Sequence, residues 1–108
     1  MNKLKIALAQ VKQCEDFEVN ARTIARYLDE AAAAGVQILC FPETQTVGYR
    51  VDIATPETPV PVEKLDELHR RVAQRCGELG MACILGTETP LEADPHGGKP
   101  YNSALVIS

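Results

Sequence analysis

Leu4, Ile6 and Leu8 alternate with Lys3, Lys5, Ala7 and Ala9, the period of two that predicts a β-strand. The period then changes. Phe17, Ala21, Ile24, Leu28 and Ala31 recur at steps of four and three, which puts one apolar stripe along a helix. Asp16 stands where an N-cap belongs, and Gly35 where a left-handed residue ends a helix. Val36 to Phe41 is a short, β-rich apolar run closed by Pro42, as expected of a strand buried on both faces. Strand, helix and strand in this order predict a right-handed crossover, with the two strands parallel and side by side.

From Thr44 to Pro61 no period is sustained, and Gly48, Pro56, Pro59 and Pro61 interrupt any regular element. A connection of that length inside a compact domain is uncommon and often functional. Leu65, Leu68, Val72, Cys76 and Leu79 restore the helical spacing up to Gly80. Arg70, Arg71 and Arg75 read as a solvated face in the later turns, complementing the helix dipole. Met81 to Thr87 reads as a third strand and Ser103 to Ile107 as a fourth. The turn-forming residues from Asp94 to Pro100 between them favour a long-looped antiparallel pair. The fold class is α/β, with about four strands and two helices.

Composition narrows the function classes. The chain has 108 residues, enough for one small core and no second one. Hydrophobic residues at 45% and charged residues at 24% are the balance of a folded, soluble protein. A formal net charge of −4 without a basic stripe argues against nucleic acid and against anionic membranes as partners. The early apolar stretch from Ile6 to Ala9 is too short for a signal peptide or a membrane span. Cys14, Cys40, Cys76 and Cys83 lack CxxC or Cys/His ligand spacing. They read as free thiols in a reducing cytoplasm. His69 and His96 stand apart from other ligand-type residues and suit surface positions better than a metal site. No glycine pattern for cradling phosphates is present.

Candidate chemistry begins at Phe41-Pro42-Glu43-Thr44, which places a carboxylate directly after a buried strand. In open α/β sheets, ligands bind beyond the carboxyl ends of the strands. A glutamate held there can act as a general base. The same position also fits an ordinary surface or capping residue. Glu88 reads most simply as a carboxylate at the end of the third strand.

Lys5-Ile6-Ala7-Leu8-Ala9-Gln10, the helix containing Asn20, Phe41-Pro42-Glu43, Gly48-Tyr49 and Tyr101-Asn102-Ser103-Ala104 follow one another in an order and spacing that resemble the nitrilase superfamily of carbon–nitrogen hydrolases. The resemblance covers essentially the whole chain. It implies part of an α-β-β-α sandwich, with both helices on one face of the sheet. It also implies cleavage of a non-peptide C–N bond in an amide, carbamoyl or nitrile substrate by a glutamate, a lysine and a cysteine, commonly with a second glutamate. Glu43 matches the first glutamate, and Tyr49 is placed in the substrate-binding loop.

In that family the lysine, second glutamate and cysteine come after the strand that here ends at Ser108. Lys99, Cys76 and Cys83 do not occupy the corresponding places. Residues 1–108 are therefore expected to form the N-terminal portion of a single hydrolase domain, truncated after the fourth strand and inactive alone. No cofactor and no metal are implied. A homo-oligomer, or association through a bare sheet face, is expected, with Leu8, Ile38, Leu39, Ile84 and Val106 as candidates for that face. The competing readings are a non-catalytic interaction module using that face and, more weakly, a small α/β ligand-binding domain.

Overall fold

The computed structural model describes residues 3–48, 61–90 and 101–108. Four strands, β1 (Ile6–Leu8), β2 (Ile38–Cys40), β3 (Ala82–Thr89) and β4 (Tyr101–Ile107), form one sheet in the order β1-β2-β3-β4. The pairs β1–β2 and β2–β3 are parallel, and β3–β4 is antiparallel. The connections between parallel strands carry α1 (Phe17–Ala33) and α2 (Val62–Leu79). The expected parallel pair, antiparallel pair and both helices are all present. The turn-rich segment from Asp94 to Pro100 lies outside the described residues.

Local chemistry accounts for the helix ends. The Asp16 carboxylate accepts from the N–H groups of Glu18 and Val19, satisfying donors that the first turn cannot pair internally. At the other end, Gly35 N–H donates to Ala32 and Val36 N–H to Ala31, the paired bonds of a Schellman ending. Helix α2 ends the same way, with Gly80 N–H to Gly77 and Met81 N–H to Cys76. In each case a buried apolar residue, Val36 or Met81, leads straight into the next strand.

Cross-strand register assigns the two sheet faces, because directly paired residues point to the same side. Ala7, Leu39, Cys83 and Ile107 form one row across all four strands. They pack in a single cluster with Ile24 and Leu28 of α1 and Leu68, Val72 and Cys76 of α2. Both helices therefore cover one face. Burying each large aliphatic side chain there contributes about 1.5–3 kcal/mol, so this layer is where the fold is stabilised.

The adjacent row, Leu8, Cys40, Ile84 and Val106, looks away from the helices. Leu8 is 74% exposed and Val106 70% exposed, and Leu4 and Ile6 are exposed as well. Leu39 does not belong with them. It sits among the helices because it is the middle residue of β2 and alternates with Ile38 and Cys40. β2 is accordingly closed on one face only.

The arginines of α2 lie in its later turns, though none in the last one. Arg75 instead joins Asp29 of α1 at 2.9 Å and Glu78 at 2.8 Å, tying the two helices together at the surface. No helix among the described residues is long and apolar enough to cross a membrane.

One close approach fixes the chain after β2. Phe41 N–H donates to Ile84 O at 2.9 Å, and Thr46 N–H donates to Gly86 O at 3.3 Å. Between these two bonds the backbone bulges and lies directly on β3 at Gly86. A Cβ there would stand 2.0 Å from Pro42 O and 2.8 Å from Glu43 Cα, distances that no side chain tolerates. Gly86→Ala is expected to lower stability by about 1–3 kcal/mol through overpacking. Gly77→Ala, in α2 with nothing within 4 Å of the new methyl, is expected to raise it by roughly 0.5–1 kcal/mol. Urea unfolding of the two variants checks both signs, and equal shifts would contradict the close packing at Gly86.

Candidate active site

The seven residues from Pro42 to Gly48 form the element that projects Glu43. Thr44 adopts φ +53°, a left-handed conformation that a β-branched residue seldom takes. Its carbonyl accepts from Gly48 N–H at 2.7 Å and Val47 N–H at 3.3 Å, and its hydroxyl accepts from Gln13 Nε2 at 3.2 Å. Gly48 has φ +74°, and a Cβ on it would meet Cys14 O at 2.6 Å. The turn is thus wedged between β3 and the segment preceding α1. Thr44, Gln45, Thr46 and Val47 are all buried, although the sequence marks the start of this region only by its lack of periodicity.

Strain of this kind costs of order 1–3 kcal/mol and persists only where the surroundings enforce it. Here Asn20 enforces it. Its Nδ2 donates to Cys14 O and to Thr46 O at 2.6 and 3.1 Å, while its Oδ1 accepts from Cys14 N–H at 3.0 Å. One buried amide on α1 therefore clamps both sides of the wedge. Gln45 is fully buried, and among the described residues neither atom of its amide has a hydrogen-bond partner.

Glu43 emerges over the sheet face that the helices leave open, because its Cα lies on the Cβ side of Gly86. The carboxylate is solvent-exposed and accepts a hydrogen bond from Asn102 Nδ2 of β4. Asn102 pairs across the ladder with Glu88 of β3, so Asn102 and Glu88 share that face. Glu88 is only 4% exposed. It stands near the end of β3, one residue before Thr89, as a buried rather than a surface acid. The site therefore gathers two carboxylates and an amide from three separate segments.

Behind the turn, on the helix side, Thr46 Oγ1 lies 3.0 Å from Thr87 Oγ1, which in turn lies 2.8 Å from His69 Nε2. His69 is half-buried rather than a surface residue, and burial lowers its pKa from the ordinary histidine value while Asp66 draws it back up. The sequence signals that could have found this group are the Thr87-Glu88 alternation in β3 and the placement of His69 one residue after Leu68 of the apolar stripe.

Burial pushes the Cys76 thiol up and the Cys83 thiol up to about 12, with Cys76 and Cys40 adding to the latter. Neither is a thiolate at neutral pH, and the thiolate is the nucleophilic form. Cys14 Sγ is spent on Asp16 O and Asn20 Oδ1, and Cys40 Sγ on Phe41 O. Among the described residues no group of three His, Cys, Asp or Glu side chains is placed to hold a metal ion. Tyr49, His96 and Lys99 lie outside the described residues.

A protein called Hydrolase Rv0480c from Mycobacterium tuberculosis is 33% identical over 87 residues, which cover 81% of this chain and 30% of that protein. The chain thus spans 30% of the length of that relative. A glutamine-dependent NAD(+) synthetase from Cytophaga hutchinsonii superposes with a TM-score of 0.75 at 27% identity, over 97% of this chain and 17% of the synthetase. An amidase from Nesterenkonia sp. has the same fold, with a TM-score of 0.67 at 21% identity over 95% of this chain and 37% of the amidase. A variant of that amidase carries the acetamide moiety of fluoroacetamide covalently on its active-site cysteine. Residues 5–108 match the family described as carbon-nitrogen hydrolase. With that match running from the first strand to the last, this chain belongs to the carbon–nitrogen hydrolase family.

Proposed function

We propose that Glu43 is the proton-transferring base of a hydrolase that cleaves non-peptide C–N bonds in small amides, carbamoyl compounds or nitriles. The observation that carries this reading is the turn itself: a strained, clamped segment that presents one carboxylate on the open sheet face and holds it with Asn102. A general base needs a fixed position more than it needs any other property. Family membership supports the reaction class. The lysine and the nucleophilic cysteine come from outside these 108 residues, a reading supported by the high thiol pKa of Cys83 and by the share of the relative's length that the chain spans. The 108 residues are accordingly inactive by themselves.

An amide is cleaved through a thioester. Glu43 takes the thiol proton as sulfur attacks the carbonyl carbon, and the lysine steadies the oxyanion that forms. The C–N bond then breaks as Glu43 returns that proton to the leaving nitrogen, giving a thioester and an amine. Water attacks the thioester with Glu43 again accepting a proton, which it passes to the departing sulfur as the carboxylic acid and the free thiol are released. Tyr49, directly after Gly48 at the end of the clamped turn, contributes to the substrate pocket in this proposal.

A second reading has its own observation. Leu4, Ile6, Leu8 and Val106 leave an apolar strip on the open sheet face, and a strip of this kind marks an interaction surface. In the hydrolase reading a further layer of the sandwich covers it; in the alternative, the chain is a non-catalytic assembly module that binds itself or a partner there.

Two results separate these. In the protein that carries this chain, Glu43→Gln is expected to reduce ammonia release from short amides by at least about 100-fold. Asn102→Leu is expected to reduce it about 10- to 100-fold, as for loss of a hydrogen bond to a charged group. Turnover that survives Glu43→Gln would remove the proposed mechanism. Sedimentation of the 108-residue chain is expected to show association that Leu8→Lys with Val106→Lys abolishes; a freely soluble monomer before substitution would contradict an apolar strip that needs covering.

A further inference from the structure

His69 has no role in the chemistry proposed for Glu43, yet its ring is turned toward the sheet rather than toward water. Its Nε2 meets Thr87 Oγ1 at 2.8 Å, and Thr87 meets Thr46 Oγ1 at 3.0 Å. Both threonines are fully buried. Thr46 is also the residue whose N–H closes the bulge on Gly86 and whose carbonyl is held by Asn20. Helix α2 therefore reaches the back of the Glu43 turn through two hydroxyl groups.

Each hydroxyl has one hydrogen to donate, so the imidazole sets the direction of the whole chain. A neutral ring with an unprotonated Nε2 accepts from Thr87, which then accepts from Thr46. A protonated ring must donate to Thr87, and the Thr87 hydrogen then goes to Thr46. The two states present opposite hydrogen-bonding demands to the turn.

We propose that His69 is a positioning residue for the Glu43 turn, acting through Thr87 and Thr46 to set the placement of the carboxylate on the other side of the sheet. Its consequence for catalysis rests on Glu43 being the base; the coupling itself does not. Asp66, on the same helix, is the charged group that acts on the ring. From β3 and the turn, the ring is faced by the hydroxyls of Thr87 and Thr46, and α1 contributes the neutral Asn20 amide to the same network. The carboxylates of those elements, Glu88 and Glu43, belong to the opposite sheet face by strand alternation and by the contact at Gly86.

The test is NMR of the isotope-labelled protein without substrate. The amide resonances of Thr44 to Val47 are expected to follow the His69 titration with the same midpoint, below the ordinary histidine value. Thr87→Val is expected to abolish that response while the imidazole still titrates. His69→Gln keeps a hydrogen-bonding group of similar reach and is expected to hold amide exchange in the turn within about threefold of native. His69→Ala is expected to raise that exchange about five- to tenfold. Turn resonances that ignore the titration, that still follow it in the Thr87→Val protein, or that exchange equally in the Gln and Ala variants would overturn the proposal. No turnover enters these measurements, so they stand or fall separately from the effect of Glu43→Gln on hydrolysis.

Discussion

The contact between the Pro42–Glu43 backbone and Gly86 is the constraint on which the rest depends. Because β3 has no side chain at that point, the strand that precedes the turn can leave the sheet, bulge, and return to hydrogen-bond at Gly86 O. That path sends Glu43 to one side of the sheet and Thr46 to the other. The left-handed Thr44, the tight Gly48 and the Asn20 clamp all serve the same path. A single missing Cβ thus links the packing of the sheet to the position of the carboxylate.

The two sheet faces divide the work. One holds the row Ala7, Leu39, Cys83 and Ile107 against both helices, and supplies most of the apolar burial. The other carries Glu43, Glu88 and Asn102 at one end and the exposed aliphatic strip at the other. Large apolar side chains so exposed are unfavourable unless another layer or molecule covers them. The carboxylate in the same plane would then lie at the margin of a closed space rather than in open water.

Much of the fold was legible in the sequence because periodicity reports burial directly. The stripes of α1 and α2, the caps at Asp16 and Gly80, and the parallel pairing of β1 and β2 all followed from spacing and end signals. Face assignment was harder. β2 is three residues long, and a run of apolar residues gives no hint that Leu39 alone turns toward the helices. Of the candidate site, the sequence singled out Glu43, whose placement after a buried strand and before a proline-rich stretch is a local signal. Asn102 and Thr87 bond to the same turn from β4 and β3, with Glu88 paired to Asn102 and His69 bonded to Thr87, and such convergence exists only once the strands are paired. Cys83 shows the converse: it sits inside an apolar run, and its burial raises the thiol pKa.

The most direct measurement is a crystal structure of the protein that carries this chain, with a short amide or its covalent adduct bound. The Glu43 carboxylate is expected within about 2.6–3.2 Å of the attacking sulfur or of the leaving nitrogen, with Asn102 still donating to it. A substrate bound away from the Pro42–Gly48 turn, or a nucleophile out of reach of Glu43, would contradict it.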